Sequence, residues 1–171
     1  EFLPKNRLVA NCHKIPQKFF EKRFLSHHEL TDSINKTIEI LKDICKDDVQ
    51  ILFTVSPVRH TKDGIVENQL SKSKLLTAIH ESISGKENCS YLPVYEILMD
   101  DLRDYRFYKD DLIHPNSQAV QYIWEKFGNA YFSDETKLFI NENNKILTAL
   151  NHKTNDDKNP KYQEFLDKIN R

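Results

Sequence analysis

Glycine is scarce in this chain: only 3 occur in 171 residues, at Gly64, Gly85 and Gly128, and none is followed by serine. A hydrolase that displays its nucleophile on a sharp strand-to-helix turn surrounds that serine with small residues, so no serine here stands in such an elbow. Cysteine is equally sparse. Cys12, Cys45 and Cys89 are odd in number and far apart, with no Cys-x-x-Cys and no histidine at zinc-finger spacing. This excludes a disulfide framework and a finger-type metal site, and points to free thiols in a reducing compartment. No run approaches the roughly 18 apolar residues of a membrane-spanning helix. A formal net charge of −1 argues against the clustered positive charge of a nucleic-acid binder. Lys18, Lys22 and Arg23 are interleaved with acids and read as solvated helix faces.

Enough is present for a folded core, with 39% hydrophobic residues. Leu8 to Cys12 reads as a strand and Pro16 to Phe24 as a short helix. Ser26-His27-His28-Glu29 is a capping box opening a helix with Leu30, Ile34, Ile38, Leu41 and Cys45 on one stripe. Gln50 to Val55 is apolar, β-branched and aromatic, as a buried central strand requires. Ser56 to Glu67 reads as a loop. Leu70, Leu75, Leu76, Ile79 and Ile83 give a helix ending near Gly85, and Tyr91 to Val94 a short strand with Pro93 at its edge. Helical turns over Glu96 to Leu102, a helix ending near Phe127 and another opened by Ser133 follow. Asn151 to Pro160 is a polar linker before a last helix from Lys161. Such alternation indicates an α/β fold with a parallel sheet, whose sites gather at the carboxyl ends of the strands.

The chemistry concentrates in Tyr108-Lys109-Asp110-Asp111-Leu112-Ile113-His114-Pro115-Asn116. Asp111 and His114 stand three residues apart just before a helix start, for which Asn116 is the expected cap. A carboxylate that accepts a hydrogen bond from one imidazole nitrogen fixes the tautomer and leaves the other nitrogen free to take a proton from a nucleophile. Asp-x-x-His also arises by chance, and a loop histidine is commonly only solvated, so the pair needs its context. Other motifs carry less. Ser71-Lys72-Ser73-Lys74 matches S-x-x-K without the S-D-N and K-T-G elements that accompany it, and reads as a solvated helix start with Ser71 or Ser73 hydrogen-bonding locally. Cys12 and His13 are neighbours on a strand and point to opposite faces. His27, His28 and His80 lie on helices and read as surface or core-edge residues rather than metal ligands.

Four blocks supply the context: Leu8-Val9-Ala10-Asn11-Cys12-His13-Lys14, Thr54-Val55-Ser56-Pro57-Val58-Arg59-His60, Glu67-Asn68-Gln69-Leu70, and Leu102-Arg103-Asp104-Tyr105 running into Asp111 and His114. In this order they resemble the GSCFA family of the SGNH-hydrolase superfamily. The resemblance implies a three-layer α/β/α, flavodoxin-like SGNH hydrolase fold with a parallel central sheet. It assigns residues 1–132 to the C-terminal part of that domain and 133–171 to its helical extension. It also implies a serine acyl-ester hydrolase, independent of metal and cofactor, acting on a small-molecule or carbohydrate ester, with acylated carbohydrate as the expected substrate class. His114 would be the base and Asp111 its orienter. Asn11 would be an oxyanion donor, or would merely turn its strand.

The family's nucleophile lies in a Gly-Ser-Cys-Phe-Ala motif well before the Asn-Cys-His-Lys block, and this sequence has none. We therefore expect a C-terminal fragment whose serine and first strands precede Glu1, and which alone is inactive. A binding module that keeps the hydrolase fold without turnover is the alternative. Arg59, His60, Lys62 and Asp63 are the expected substrate-side residues, with Arg59 pairing either a substrate carboxylate or an internal acid such as Glu67 or Asp104. The expected location is cytoplasmic, with no nucleic-acid partner. The oligomeric state is left open.

Overall fold

The computed structural model describes residues 3–5, 7, 9, 14–45 and 49–151. Asn11, Cys12 and His13, nearly all of the first expected strand, the far side of the polar linker and the final helix lie outside the described residues. The chain divides into two compact units, Glu1–Ala119 and Val120–Arg171.

The first unit is mixed α/β and mostly helical among the described residues. Helix α1 spans His27–Cys45 and opens on the expected capping box. Glu29 N–H donates to Ser26 Oγ, and Ser26 N–H donates back to Glu29 Oε2 at 2.8 Å. Arg23 grips the same carboxylate through both guanidinium nitrogens. Together with the two Ser26 donors, this holds Glu29 well below its usual range, at about 2. Ahead of it, the expected helix over 16–24 is only a 3₁₀ turn, Gln17–Phe19, since Pro16 and the charged run beyond Phe20 offer no apolar stripe to pack.

Strand β1, Ile51–Phe53, pairs in parallel with β2, Cys89–Tyr91, in the register Ile51↔Cys89. Both are shorter than or shifted from expectation, because Pro93 has no N–H for the ladder and starts the next helical turn instead. Parallel strands need a crossover, and α2, Ile65–Ile83, supplies it. Ile38 of α1, Ile51 and Cys89 form one cluster of the core, with Ile34, Leu41, Val49, Phe53 and Ile83 packed against it. Fully burying one such side chain contributes about 1.5–3 kcal/mol, so α1 holds the sheet chiefly through this stripe. After β2 come α3, Val94–Glu96, a π turn Ile97–Asp101 and a 3₁₀ turn Tyr105–Phe107.

Helix α4, Ser117–Tyr131, begins in the first unit. Asn116 caps it, its Oδ1 accepting from Ala119 N–H at 3.0 Å. In the second unit, α5 spans Asp134–Asn151 and is opened by Ser133, whose Oγ accepts from Thr136 N–H. The rings of Trp124, Phe127 and Phe132 meet at 5.0 to 5.7 Å. Gly128 permits this, because a Cβ there would lie 3.0 Å from the Phe132 ring.

Candidate active site

The segment from Phe107 to Asn116 is a small hairpin tied to itself. Tyr108 and Pro115 bridge antiparallel at its base, and Asn116 N–H donates to Phe107 C=O at 2.9 Å. Inside it, Lys109 N–H donates to His114 C=O and Leu112 N–H to Lys109 C=O. Leu112 turns the tip with a left-handed φ of 55°, a conformation that costs a branched residue energy and needs surrounding bonds to hold it. Asn116 Nδ2 donates to Arg106 C=O at 2.6 Å, so one side chain both caps α4 and closes the hairpin. Phe107 and Tyr108 are buried and root the segment in the core.

This geometry brings the expected pair together. Asp111 Oδ2 lies 2.7 Å from His114 Nδ1, while Asp111 Oδ1 accepts from the N–H groups of Ile113 and His114 at 2.8 and 3.0 Å. An aspartate that bonds the backbone two and three residues on is a turn-maker in its own right. That is why the Asp-x-x-His spacing puts both side chains on one side. The backbone N–H of His114, its imidazole and the N–H of Ile113, in that order, hold the Asp111 carboxyl down at about 2. An ionised carboxylate can only accept, so Nδ1 carries the proton and Nε2 of the neutral ring keeps its lone pair. Among the described residues nothing hydrogen-bonds to Nε2. The two side chains remain about half exposed, 52% for His114 and 43% for Asp111, so the pair adds little to stability and its value is orientation.

The four expected substrate-side residues separate in space. Arg59 alone reaches the hairpin: its N–H donates to Ile113 C=O at 3.2 Å and its Nη1 to Leu112 C=O at 3.3 Å. Its guanidinium lies over the Tyr108 ring, 4.3 Å from the centroid, and 5.4 Å from that of Tyr105. Among the described residues it pairs with neither Glu67 nor Asp104. His60 is exposed, with its N–H on Asn68 Oδ1; Lys62 is exposed; Asp63 pairs with Lys22. The expected loop to Glu67 is shorter, because α2 begins at Ile65, directly after Gly64, whose φ of 107° suits only glycine.

Lys72 was missed. Rather than being solvated at a helix start, it is 4% exposed, and its Nζ donates to Ser56 C=O at the exit of β1. Burial pushes its amine below the usual value. The signal was present, because position 72 falls on the stripe of 75, 76, 79 and 83 at helical spacing. Ser73 bonds locally as expected, to Gln69 C=O.

Two cavities flank Arg59, one of 260 Å³ and one of 230 Å³, sharing Arg59, Met99 and Tyr105. The first is walled by Pro57 and Arg59, which follow β1, and by Tyr95 and Met99, which follow β2. It therefore sits beyond the carboxyl ends of both parallel strands, where ligands of α/β sheets bind.

The sequence model of the GSCFA family matches residues 2–127. The chain belongs to the GSCFA family. The stretch shared with the GSCFA proteins contains the Asp111–His114 pair, Arg59 and both cavities. No curated protein and no solved structure matches the chain. In this GSCFA chain no described helix is long and apolar enough to cross a membrane. Cys45 and Cys89 are free thiols, and Cys12 lies outside the described residues.

Proposed function

We propose that this GSCFA protein is a serine acyl-ester hydrolase of SGNH type, with a three-layer α/β/α domain to which 1–132 belong and 133–171 as its helical extension. The observation that carries the reading is the 2.7 Å bond from His114 Nδ1 to Asp111, with Nε2 left available. In that arrangement Nε2 takes the proton of a serine hydroxyl as its oxygen attacks an ester carbonyl. Asp111 then stabilises the imidazolium, and the ring returns the proton to the departing alcohol. The hydroxyl comes from outside these residues, since no serine here has an elbow context. Asn11 is the candidate oxyanion donor, and one such donor is typically worth about 3 kcal/mol of barrier. Acylated carbohydrate is the substrate class that the family resemblance favours.

Turnover of short-chain p-nitrophenyl esters by the full-length gene product tests the reading. His114→Ala is expected to lower kcat by about 10³-fold or more, and Glu1–Arg171 alone is expected to stay at background. Undiminished turnover in His114→Ala would remove the histidine from the chemistry. A wild-type protein that binds ligand in the Arg59 cavities but turns over no ester would make the chain a binding module.

A further inference from the structure

The cavity of 260 Å³ has a one-sided chemistry. Its lining contains Arg59, Asn68, Gln69 and Tyr95 but no aspartate or glutamate. Arg59 is the cation of the site and meets no carboxylate among the described residues; its Nη1 and backbone N–H donate to carbonyls of the hairpin. A guanidinium that faces a cavity and meets no carboxylate is open to an anion from solution.

The neighbouring polar groups have the matching polarity. Asn68 Oδ1 is occupied by His60 N–H and Gln69 Oε1 by the Tyr95 hydroxyl. The acceptor ends of both amides are thus committed, and among the described residues the donor ends are open. In the adjoining cavity the Tyr108 ring lies under the same guanidinium. Tyr95 and Tyr105 add aromatic faces suited to a hydroxylated ring.

We propose that this cavity binds the carboxylate of a hydroxylated organic acid, with Arg59 as counter-ion and the Asn68 and Gln69 amides as further donors. A single guanidinium and two amides match the single charge and the lone pairs of one carboxylate. Because Arg59 also holds Leu112 and Ile113, the anion would dock beside the Asp111–His114 pair. Under the hydrolase reading, on which this assignment of substrate rests, the ester is borne by an acidic sugar.

The test is a titration of the full-length protein with sodium glucuronate, followed by ¹⁵N side-chain NMR. Glucose serves as neutral control and inorganic phosphate as rival anion. Saturable shifts at Arg59 Nε and at the Asn68 and Gln69 amides are expected with glucuronate and not with glucose. Arg59→Gln should weaken binding by about tenfold or more, the range of a charged hydrogen bond. Gln69→Ala, which touches no part of the hairpin, should weaken it measurably even if Arg59→Gln disturbs the fold. His114→Ala should bind as wild type, so failed turnover and failed binding are told apart. Equal shifts with glucose, tighter binding of phosphate, or undiminished binding in both the Arg59→Gln and Gln69→Ala variants would overturn the assignment.

Discussion

Residues 107–116 and residues 56–60 both bring groups to the cavities around Arg59, but they are held in place differently. The first segment is tied to itself: Asp111 bonds two amides of its own turn, Lys109 bonds His114 and Leu112, and Asn116 closes the base. The second is held from outside. Lys72 reaches from α2 to Ser56 C=O, Asn68 reaches to His60 N–H, and Arg59 leans on the hairpin. A self-tied turn holds the Asp111–His114 pair at a geometry set largely by its own bonds. A segment hung from a helix moves with that helix, and such a segment suits the adjustable, ligand-facing wall of a site.

The largest effect is expected from Asn116→Ala. It removes the cap of α4 and the bond to Arg106 C=O together, and should lower stability by about 1–3 kcal/mol in urea denaturation. A loss within about 0.5 kcal/mol, as for an ordinary surface change, would show that the hairpin does not depend on its closure. A smaller effect is expected for Lys72→Met. Removing a desolvated amine offsets the loss of its hydrogen bond, so net stability should change by no more than about 1 kcal/mol. Hydrogen exchange at Arg59 N–H should nevertheless speed up, with Ile113 and His114 N–H unchanged. Acceleration of both segments together would mean that they are one unit.

The smallest effect concerns pH. Asp111 is held at about 2 against an ordinary 3.8. Its contribution is therefore complete above 3.8 and is lost as pH falls from there through 2. Amide shifts of Ile113 and His114 should titrate near 2, and a midpoint near 3.8 would show the turn unformed.

What was legible in the sequence divides along the same line. The Asp111–His114 contact, the Asn116 cap and the Ser26–Glu29 box are bonds between residues three apart, and spacing alone specifies them. The role of Lys72 was not legible, because what buries it is the exit of β1, 16 residues away along the chain. Its place on the apolar stripe signals burial, but the carbonyl that receives its amine is set only by the fold. The strands came out short for a similar reason. Apolar character marks Gln50 to Val55 as buried, but only the register with Cys89–Tyr91 decides which residues join the ladder. The partners of Arg59, two backbone carbonyls and two tyrosine rings, carry no charge signature, so the expectation of an internal acid had nothing to correct it.

The hairpin fixes His114 with its proton on Nδ1 and its lone pair on Nε2. ¹⁵N NMR of the imidazole, at a pH where the ring is neutral, reads this tautomer directly and needs neither substrate nor nucleophile. A protonated Nδ1 and a bare Nε2 are expected in the wild type, with that preference lost in Asp111→Ala. A ring protonated mainly on Nε2, or one indifferent to Asp111→Ala, would contradict it.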